Sequence, residues 1–140
     1  MIKKSTKGQA KKAYLSTGKM YLEKENWDKA IESFSEYIKL KPDHSTAYFG
    51  RGLAYFELKN WSKAIADFTK AIKFGKSVAP AYLFRGCAYA QTKNFDKAIK
   101  DFTEVVKLEP TNKEAVSFLK QAYAAKRKLE KVRETKKINN

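Results

Sequence analysis

A chain of 140 residues, with 43% apolar and 32% charged side chains, has the size and composition of one globular domain, which excludes a fibrous or wholly disordered protein. No stretch approaches the roughly 18 consecutive apolar residues of a membrane-spanning helix, and the single cysteine excludes an internal disulfide. The formal net charge is +15, an excess that usually serves solubility and gives weak attraction to polyanions.

The chain begins with a basic segment, residues 1–10. Residues 1–12 together carry five lysines and no acid. The apolar run that follows the charged start of a signal peptide is missing. With no targeting signal and no disulfide, we expect a cytoplasmic location.

The next hundred residues repeat with a period of 34. The blocks 11–44, 45–78 and 79–112 superimpose without a gap. The matching positions include Tyr14, Tyr48 and Tyr82; Gly18, Gly52 and Gly86; Tyr21, Tyr55 and Tyr89; Trp27, Trp61 and Phe95; Ala30, Ala64 and Ala98; and Phe34, Phe68 and Phe102. Self-similarity at a fixed period predicts an array of equal supersecondary units.

Each block contains two helical patterns joined by a short turn. In the first block, Tyr14, Gly18 and Tyr21 share one helical face, and a second face begins at Trp27. Asn26 directly precedes that second helix, where asparagine is a favoured N-cap residue. Because the turn is only a few residues long, each block should form an antiparallel helix hairpin.

The repeated glycines predict a close contact between helices. A glycine inside a helix costs about 1 kcal/mol relative to alanine, and this chain has one at the same place in all three blocks. We expect the neighbouring helix to approach closely there. The small partners we expect are Ala30 for Gly18, Ala64 for Gly52 and Ala98 for Gly86.

The Tyr-x3-Gly-x2-Tyr…Ala-x3-Phe…Pro pattern at a period of 34 resembles the tetratricopeptide repeat (TPR). The final proline of the pattern is present at Pro42 and Pro110, whereas the middle block has Gly75 instead. The resemblance implies an all-α fold, a right-handed superhelical stack of antiparallel helix pairs. Gly75 should end its helix in a left-handed conformation, and Pro80 suits the first turn of the next helix.

The repeats should be followed by a capping helix and a basic tail. Thr111 to Glu114 has the spacing of a capping box, and residues 113–125 then show an apolar face that would cover the last repeat. Residues 126–140 are strongly charged and either extend this helix or form a basic tail.

Family resemblance also implies where a partner binds. TPR proteins use the inner wall formed by the first helix of each repeat, and an apolar patch off the packing face is typical of an interaction surface. The matching positions of this chain that we single out for a partner-binding groove are Leu15, Lys19, Phe49, Leu53, Phe56, Leu83, Phe84, Cys87 and Phe118, with Gly50 among the further members of the wall. The alternative for Phe56 is core packing.

The same resemblance argues against one subclass of partners. Some TPR proteins bind acidic chaperone C-terminal tails with a clamp of lysine, asparagine and arginine. At the five matching positions this chain has Leu15, Lys19, Gly50, Pro80 and Phe84, so only Lys19 could serve. We expect instead another protein, as an extended or helical segment with apolar anchors and possibly acidic overall.

His44 is expected in a solvated turn, Asp67 and Asp101 are expected at the surface, and Arg51 and Arg85 should pack their stems on aromatic rings with their heads in water. The sequence gives weaker support to two other functions, catalysis and polyanion binding. With one histidine, one cysteine and no cluster of metal-ligand spacing, catalysis lacks its parts, and we expect a non-enzyme without cofactor or metal. The terminal lysines and arginines could instead hold nucleic acid or an anionic membrane as the main activity, although no aromatic residues alternate with them. The sequence does not indicate an oligomeric state.

Overall fold

The computed structural model describes residues 6–140. They form seven α-helices and, within this range, no β-strand: α1 Lys7–Glu23, α2 Trp27–Leu40, α3 Ser45–Glu57, α4 Trp61–Phe74, α5 Ala79–Gln91, α6 Phe95–Leu108 and α7 Lys113–Ile138. The predicted all-α class is confirmed. Of the predicted basic segment 1–10, residues 1–5 lie outside the described range, and α1 already begins at Lys7.

Short turns join the two helices of each pair. In all three turns a non-glycine residue adopts a left-handed conformation, with φ of 55° at Glu25, 58° at Lys59 and 60° at Lys93. The asparagine that follows is the N-cap of the second helix each time. The side chains of Asn26 and Asn60 accept a hydrogen bond from the backbone three residues on, whereas Asn94 makes no such bond.

Two predicted helix ends differ from the structure. Gly75 ends α4 with an extended backbone at φ −92°, so the left-handed cap predicted there is wrong. The first helix after the repeats is capped by Asn112, which accepts from the backbone amide of Ala115 at 3.0 Å, and not by Thr111. This helix, α7, continues through residues 126–138, so the basic end of the chain extends it.

The chain divides into two compact units, the first ending at Ala81 and the second comprising Tyr82–Asn140. In the first, α2 and α3 contribute buried Phe34, Tyr37, Ala47 and Ala54, and a further cluster gathers around Tyr48 and Ala71. In the second, Phe102, Ala98 and Ala122 form the centre of the core. Each core is therefore built from aromatic and alanine side chains of paired helices.

Candidate partner-binding surface

The predicted close contact at the repeated glycines is present, but its partner is an aromatic ring. A Cβ atom added to Gly18 would lie 2.8 Å from the ring of Phe34, and one added to Gly52 would lie 2.8 Å from the ring of Phe68. Gly86 has the same relation to Phe102, at 2.7 Å. The alanines predicted as partners are fully buried, yet none is among the three nearest neighbours of a glycine. The glycines therefore accommodate phenylalanine rings.

Antiparallel pairing is visible in the order of these contacts. In the first pair, the ammonium group of Lys29 lies over the ring of Tyr21, close to the turn, and Gly18 meets Phe34 further away. The second pair repeats this order with Lys63 over Tyr55. Contacts that pair earlier residues of one helix with later residues of the next are those of an antiparallel hairpin.

Gly50, which the sequence placed in the binding groove, is buried. A Cβ atom here would collide with the Phe34 ring, so Phe34 is held between Gly18 of α1 and Gly50 of α3. The expectation that Gly50 lines the groove is wrong, because the residue serves packing between helix pairs. Among the other clamp-equivalent positions, Lys19 and Pro80 are exposed while Leu15 and Phe84 are half-buried.

Two buried ion pairs were missed by the sequence interpretation, which placed Arg51 and Arg85 with heads in water and the aspartates at the surface. Asp67 and Asp101 are only 4% and 2% exposed. Arg51 donates to both carboxylate oxygens of Asp67 at 2.8 Å, and Arg85 donates to Asp101 at 2.8 and 2.7 Å. These hydrogen bonds raise the pKa of both guanidinium groups. The guanidinium groups of Arg51 and Arg85 also lie over the rings of Tyr48 and Tyr82.

In the first unit, the residues predicted to bind a partner are partly accessible. Leu15 and Lys19 line a shallow depression of about 470 Å³ along α1. Phe49 lines a hollow of about 110 Å³ at the start of α3, together with Ser45, Thr46, Ala71, Ser77, Pro80 and Ala81. Leu53 and Phe56 are half-buried, and the Phe56 ring meets Trp61 edge-on, with centroids 5.1 Å apart. Phe56 thus packs within its own helix pair.

In the second unit, the predicted residues are half-buried against the core around Phe102. Leu83, Cys87 and Phe118 pack against that core, and the Phe118 ring lies 5.6 Å from that of Phe102. Phe84 is half-buried as well. Burial, with a smaller contribution from Glu114, raises the pKa of the Cys87 thiol to about 11, so Cys87 is a neutral, weakly polar side chain there.

His44 is not the solvated turn residue that the sequence suggested. It is the N-cap residue of α3 without a capping side-chain bond, and its ring meets Tyr37 edge-on at 4.9 Å. Its Nδ1 is buried and finds no hydrogen-bond partner among residues 6–140. Burial and then the charges of Lys41 and Lys19 lower the pKa of this imidazole.

The described residues contain no group of three or more His, Cys, Asp or Glu side chains placed to hold a metal ion. Across the same range, each helix is too short or too polar to cross a bilayer.

Comparison with known proteins assigns the family. Two family models, both described as tetratricopeptide repeat, match residues 15–79 and 79–112. The solved Arabidopsis OM64 TPR domain is 32% identical with a TM-score of 0.79, and the match covers 84% of this chain and 97% of that one. The chain belongs to the TPR family, and the predicted TPR-like α-α superhelix is confirmed as its fold class.

Two further structures contain bound peptides. The first TPR of Spaghetti (RPAP3), bound to the HSP90 peptide SRMEEVD, is 29% identical with a TM-score of 0.79; the match covers 84% of this chain and 93% of that one. The second TPR domain of human RPAP3, in complex with the HSP70 peptide SGPTIEEVD, is 25% identical with a TM-score of 0.78, covering 84% and 98%. No curated protein matches the sequence. The TPR matches support a protein–protein interaction module.

Proposed function

We propose that this protein is a non-enzymatic TPR module that binds a segment of another protein through apolar side chains of α1, α3, α5 and α7. The proposal is carried by Phe49, which is partly buried against the core, with its ring 5.8 Å from that of Phe68, and which also lines an open hollow at the start of α3. Solvent-accessible apolar side chains with polar neighbours are typical of interaction surfaces. In the first unit, Leu15 also lines a shallow depression beside Lys12, Ser16 and Lys19.

The hollow beside Phe49 indicates what the partner presents. Its volume of about 110 Å³ suits one branched aliphatic side chain, since a cavity of about 150 Å³ holds benzene. Three hydroxyl side chains, Ser45, Thr46 and Ser77, stand around it. Ser45 already donates to the carbonyl oxygen of Ala71 at 2.8 Å, so Thr46 and Ser77 remain for the backbone of a bound segment.

We propose that acidic chaperone tails are not the partner, although RPAP3 domains of the same fold bind peptides ending in EEVD. Recognition of a terminal carboxylate and acidic side chains needs converging cations and amides. Of the five clamp-equivalent positions here, four carry Leu15, Gly50, Pro80 and Phe84, and only Lys19 is cationic. An apolar anchor therefore fits these positions better than a carboxylate.

Polyanion binding through the basic ends stays an alternative prediction for the main activity. The cytoplasmic location also stays a prediction. The two modes of binding differ in salt dependence. Affinity for phosphates falls steeply with ionic strength because counterions are released, whereas an apolar contact barely weakens. Tyr123 is the one exposed aromatic side chain of α7, whereas stacking of successive bases needs several rings, which disfavours single-stranded nucleic acid.

Affinity capture from an extract of the protein's own cells tests the proposal. Wild type is compared with the double variant Phe49→Glu, Phe84→Glu, and the captured proteins are compared by mass spectrometry. We expect a specific partner with wild type and its loss with the double variant. Thr46→Phe, which fills the hollow without adding charge, should weaken the same capture.

The matched control introduces the same charges elsewhere. Leu58 and Leu108 are 44% and 52% exposed and lie outside the predicted groove, so Leu58→Glu with Leu108→Glu should leave capture intact. Circular dichroism checks that both double variants keep their helicity. Capture that survives the groove substitutions in a folded variant contradicts the proposal.

A further inference from the structure

One side of α7 carries a row of basic residues, which we name the basic face. Its basic members are Lys113, Lys120, Arg127, Lys128 and Lys131, and Ser117, Ala124, Thr135 and Ile138 complete the same side of the helix. All nine are exposed, and apart from the adjacent Arg127 and Lys128 they follow one another every three or four residues. This spacing keeps side chains on one side of a helix. Spread over 26 residues at about 1.5 Å per residue, the row is about 38 Å long.

The opposite side of α7 holds the helix to its unit. Ala115 and Ala122 are buried there, and Leu119 packs against the core. Lys126 also lies on this side and forms an ion pair with Asp96 at 2.7 Å. Of the other basic residues of the helix, Lys126 thus pairs with the start of α6, and Arg133, Lys136 and Lys137 are exposed on the remaining sides of its last turns.

The cations of the basic face have no acidic partner in the part of the chain that the structure describes. The acids of α7 lie beside the face, Glu130 and Glu134 along one edge and Glu114 along the other. Packing does not require this arrangement, because every member of the face points to solvent. A row of uncompensated charge attracts an anionic partner.

The distribution of charge around α7 favours binding to a flat surface over insertion into a nucleic-acid groove. A helix inserted into a nucleic-acid groove meets phosphates on both flanks, and outside the basic face Glu114, Glu130 and Glu134 offset the charges of Arg133, Lys136 and Lys137. A flat surface touches only the centre of the face, where the charge is all positive. At the C-terminal end of the face stands Ile138, which is 83% exposed, and an exposed apolar side chain beside basic residues can enter the interface of a bilayer.

We propose that the basic face of α7 binds the surface of an anionic phospholipid bilayer, with Lys120, Lys128 and Lys131 near the headgroups and Ile138 entering the interface. Each basic residue near such a surface strengthens binding about fivefold. The contact is peripheral and reversible. It uses residues separate from the proposed protein-binding surface, so either proposal can fail without the other.

Vesicle sedimentation tests the proposal. The full chain is mixed with phosphatidylcholine vesicles with and without phosphatidylserine. We expect binding only when phosphatidylserine is present, and its loss at high salt. Neutralising the face with Lys120→Gln, Lys128→Gln and Lys131→Gln should lower partitioning on the order of 100-fold, and Ile138→Ser alone on the order of tenfold.

The control triple removes the same charge from exposed lysines elsewhere: Lys24→Gln, Lys76→Gln and Lys100→Gln. It should bind vesicles nearly as wild type does. Equal losses of vesicle binding in the two triple variants would show that only the net charge matters. Unchanged binding of Ile138→Ser would show that this side chain does not enter the bilayer. Either result overturns the proposal. Failure of wild type to bind phosphatidylserine vesicles overturns it too. The proposal is also overturned if wild type binds a double-stranded DNA or RNA oligonucleotide more tightly than the vesicles and the triple variant of Lys120, Lys128 and Lys131 loses that binding.

Discussion

Arg51 of α3 and Asp67 of α4 form a two-pronged ion pair, in which Nε donates to Oδ2 and Nη2 donates to Oδ1, both at 2.8 Å. The side chain of Asp67 is 6% exposed and that of Arg51 is 21% exposed. The third nitrogen of Arg51, Nη1, donates to Ser35 of α2 at 3.1 Å. One side chain therefore joins both helices of its own pair to the preceding helix.

Removing one member of this pair should be costly. Arg51→Ala leaves the Asp67 carboxylate buried without its partner, and we expect the free energy of unfolding to fall by about 3 kcal/mol. Urea denaturation followed by circular dichroism measures the loss. The first repeat has an uncharged pair in place of this ion pair, since Thr17 and Ser33 occupy the equivalent positions there. Arg51→Thr with Asp67→Ser should recover much of the stability, and a double variant no more stable than Arg51→Ala would contradict this account.

The contact between glycine and phenylalanine predicts opposite effects at two helical glycines. Gly52→Leu must displace the ring of Phe68, 2.8 Å from the added Cβ, and should destabilise the protein by about 1–3 kcal/mol or more through overpacking. At Gly8, among residues 6–140, a Cβ would meet only the Thr6 hydroxyl, at 3.8 Å, so Gly8→Ala should stabilise by about 0.5–1 kcal/mol. Thermal melting compares the two. A normal melting temperature for Gly52→Leu would exclude the close contact.

His44 should make stability depend on pH. Because burial lowers the pKa of the folded imidazole below 6.5, the unfolded chain takes up the proton first. Stability from this group is therefore complete above pH 6.5 and is lost as the pH falls toward the folded pKa. Between about pH 7 and about pH 5, the melting temperature of wild type should fall further than that of His44→Gln. Parallel curves for the two proteins would show that His44 does not contribute.

Chaperone-tail peptides provide a prediction about the ligand. We expect SRMEEVD and SGPTIEEVD, which RPAP3 domains bind, to show no saturable binding by isothermal titration calorimetry. The reason is that four of the five clamp-equivalent positions, Leu15, Gly50, Pro80 and Phe84, carry no cation. A matched gain-of-function variant, Leu15→Lys with Phe84→Arg, restores two charges of the clamp and should raise any affinity. Tight binding of either peptide by wild type would show that the clamp is dispensable here.

Much of the fold follows from the repeat. The period of 34, the paired helical faces and the asparagine N-caps predicted the helix order and most helix starts, because these depend on local spacing. The left-handed residues Glu25, Lys59 and Lys93 could not be predicted, since charged residues have no special preference for positive φ. Gly75 shows the converse, a glycine in an ordinary extended conformation.

The candidate site was less predictable than the fold. Side-chain partners depend on which helix approaches, and for that reason Gly18 was paired with alanine when Phe34 is its neighbour. The sequence does contain a signal for the ion pairs. Arg51 and Asp67 recur 34 residues later as Arg85 and Asp101, and in the first repeat the arginine and the aspartate are both replaced. The position of Gly50 carried no such signal, because only the packing of Phe34 between two helix pairs buries it.

The salt dependence of partner binding distinguishes apolar anchoring from attraction to the basic ends. Once capture has identified the partner, titration calorimetry at low and at high ionic strength compares its affinity for wild type and for Thr46→Phe. Apolar anchoring predicts an affinity that changes little with salt and falls in the hollow-filling variant. An affinity that drops steeply with salt and is the same in Thr46→Phe as in wild type would place the binding on the basic ends and contradict apolar anchoring.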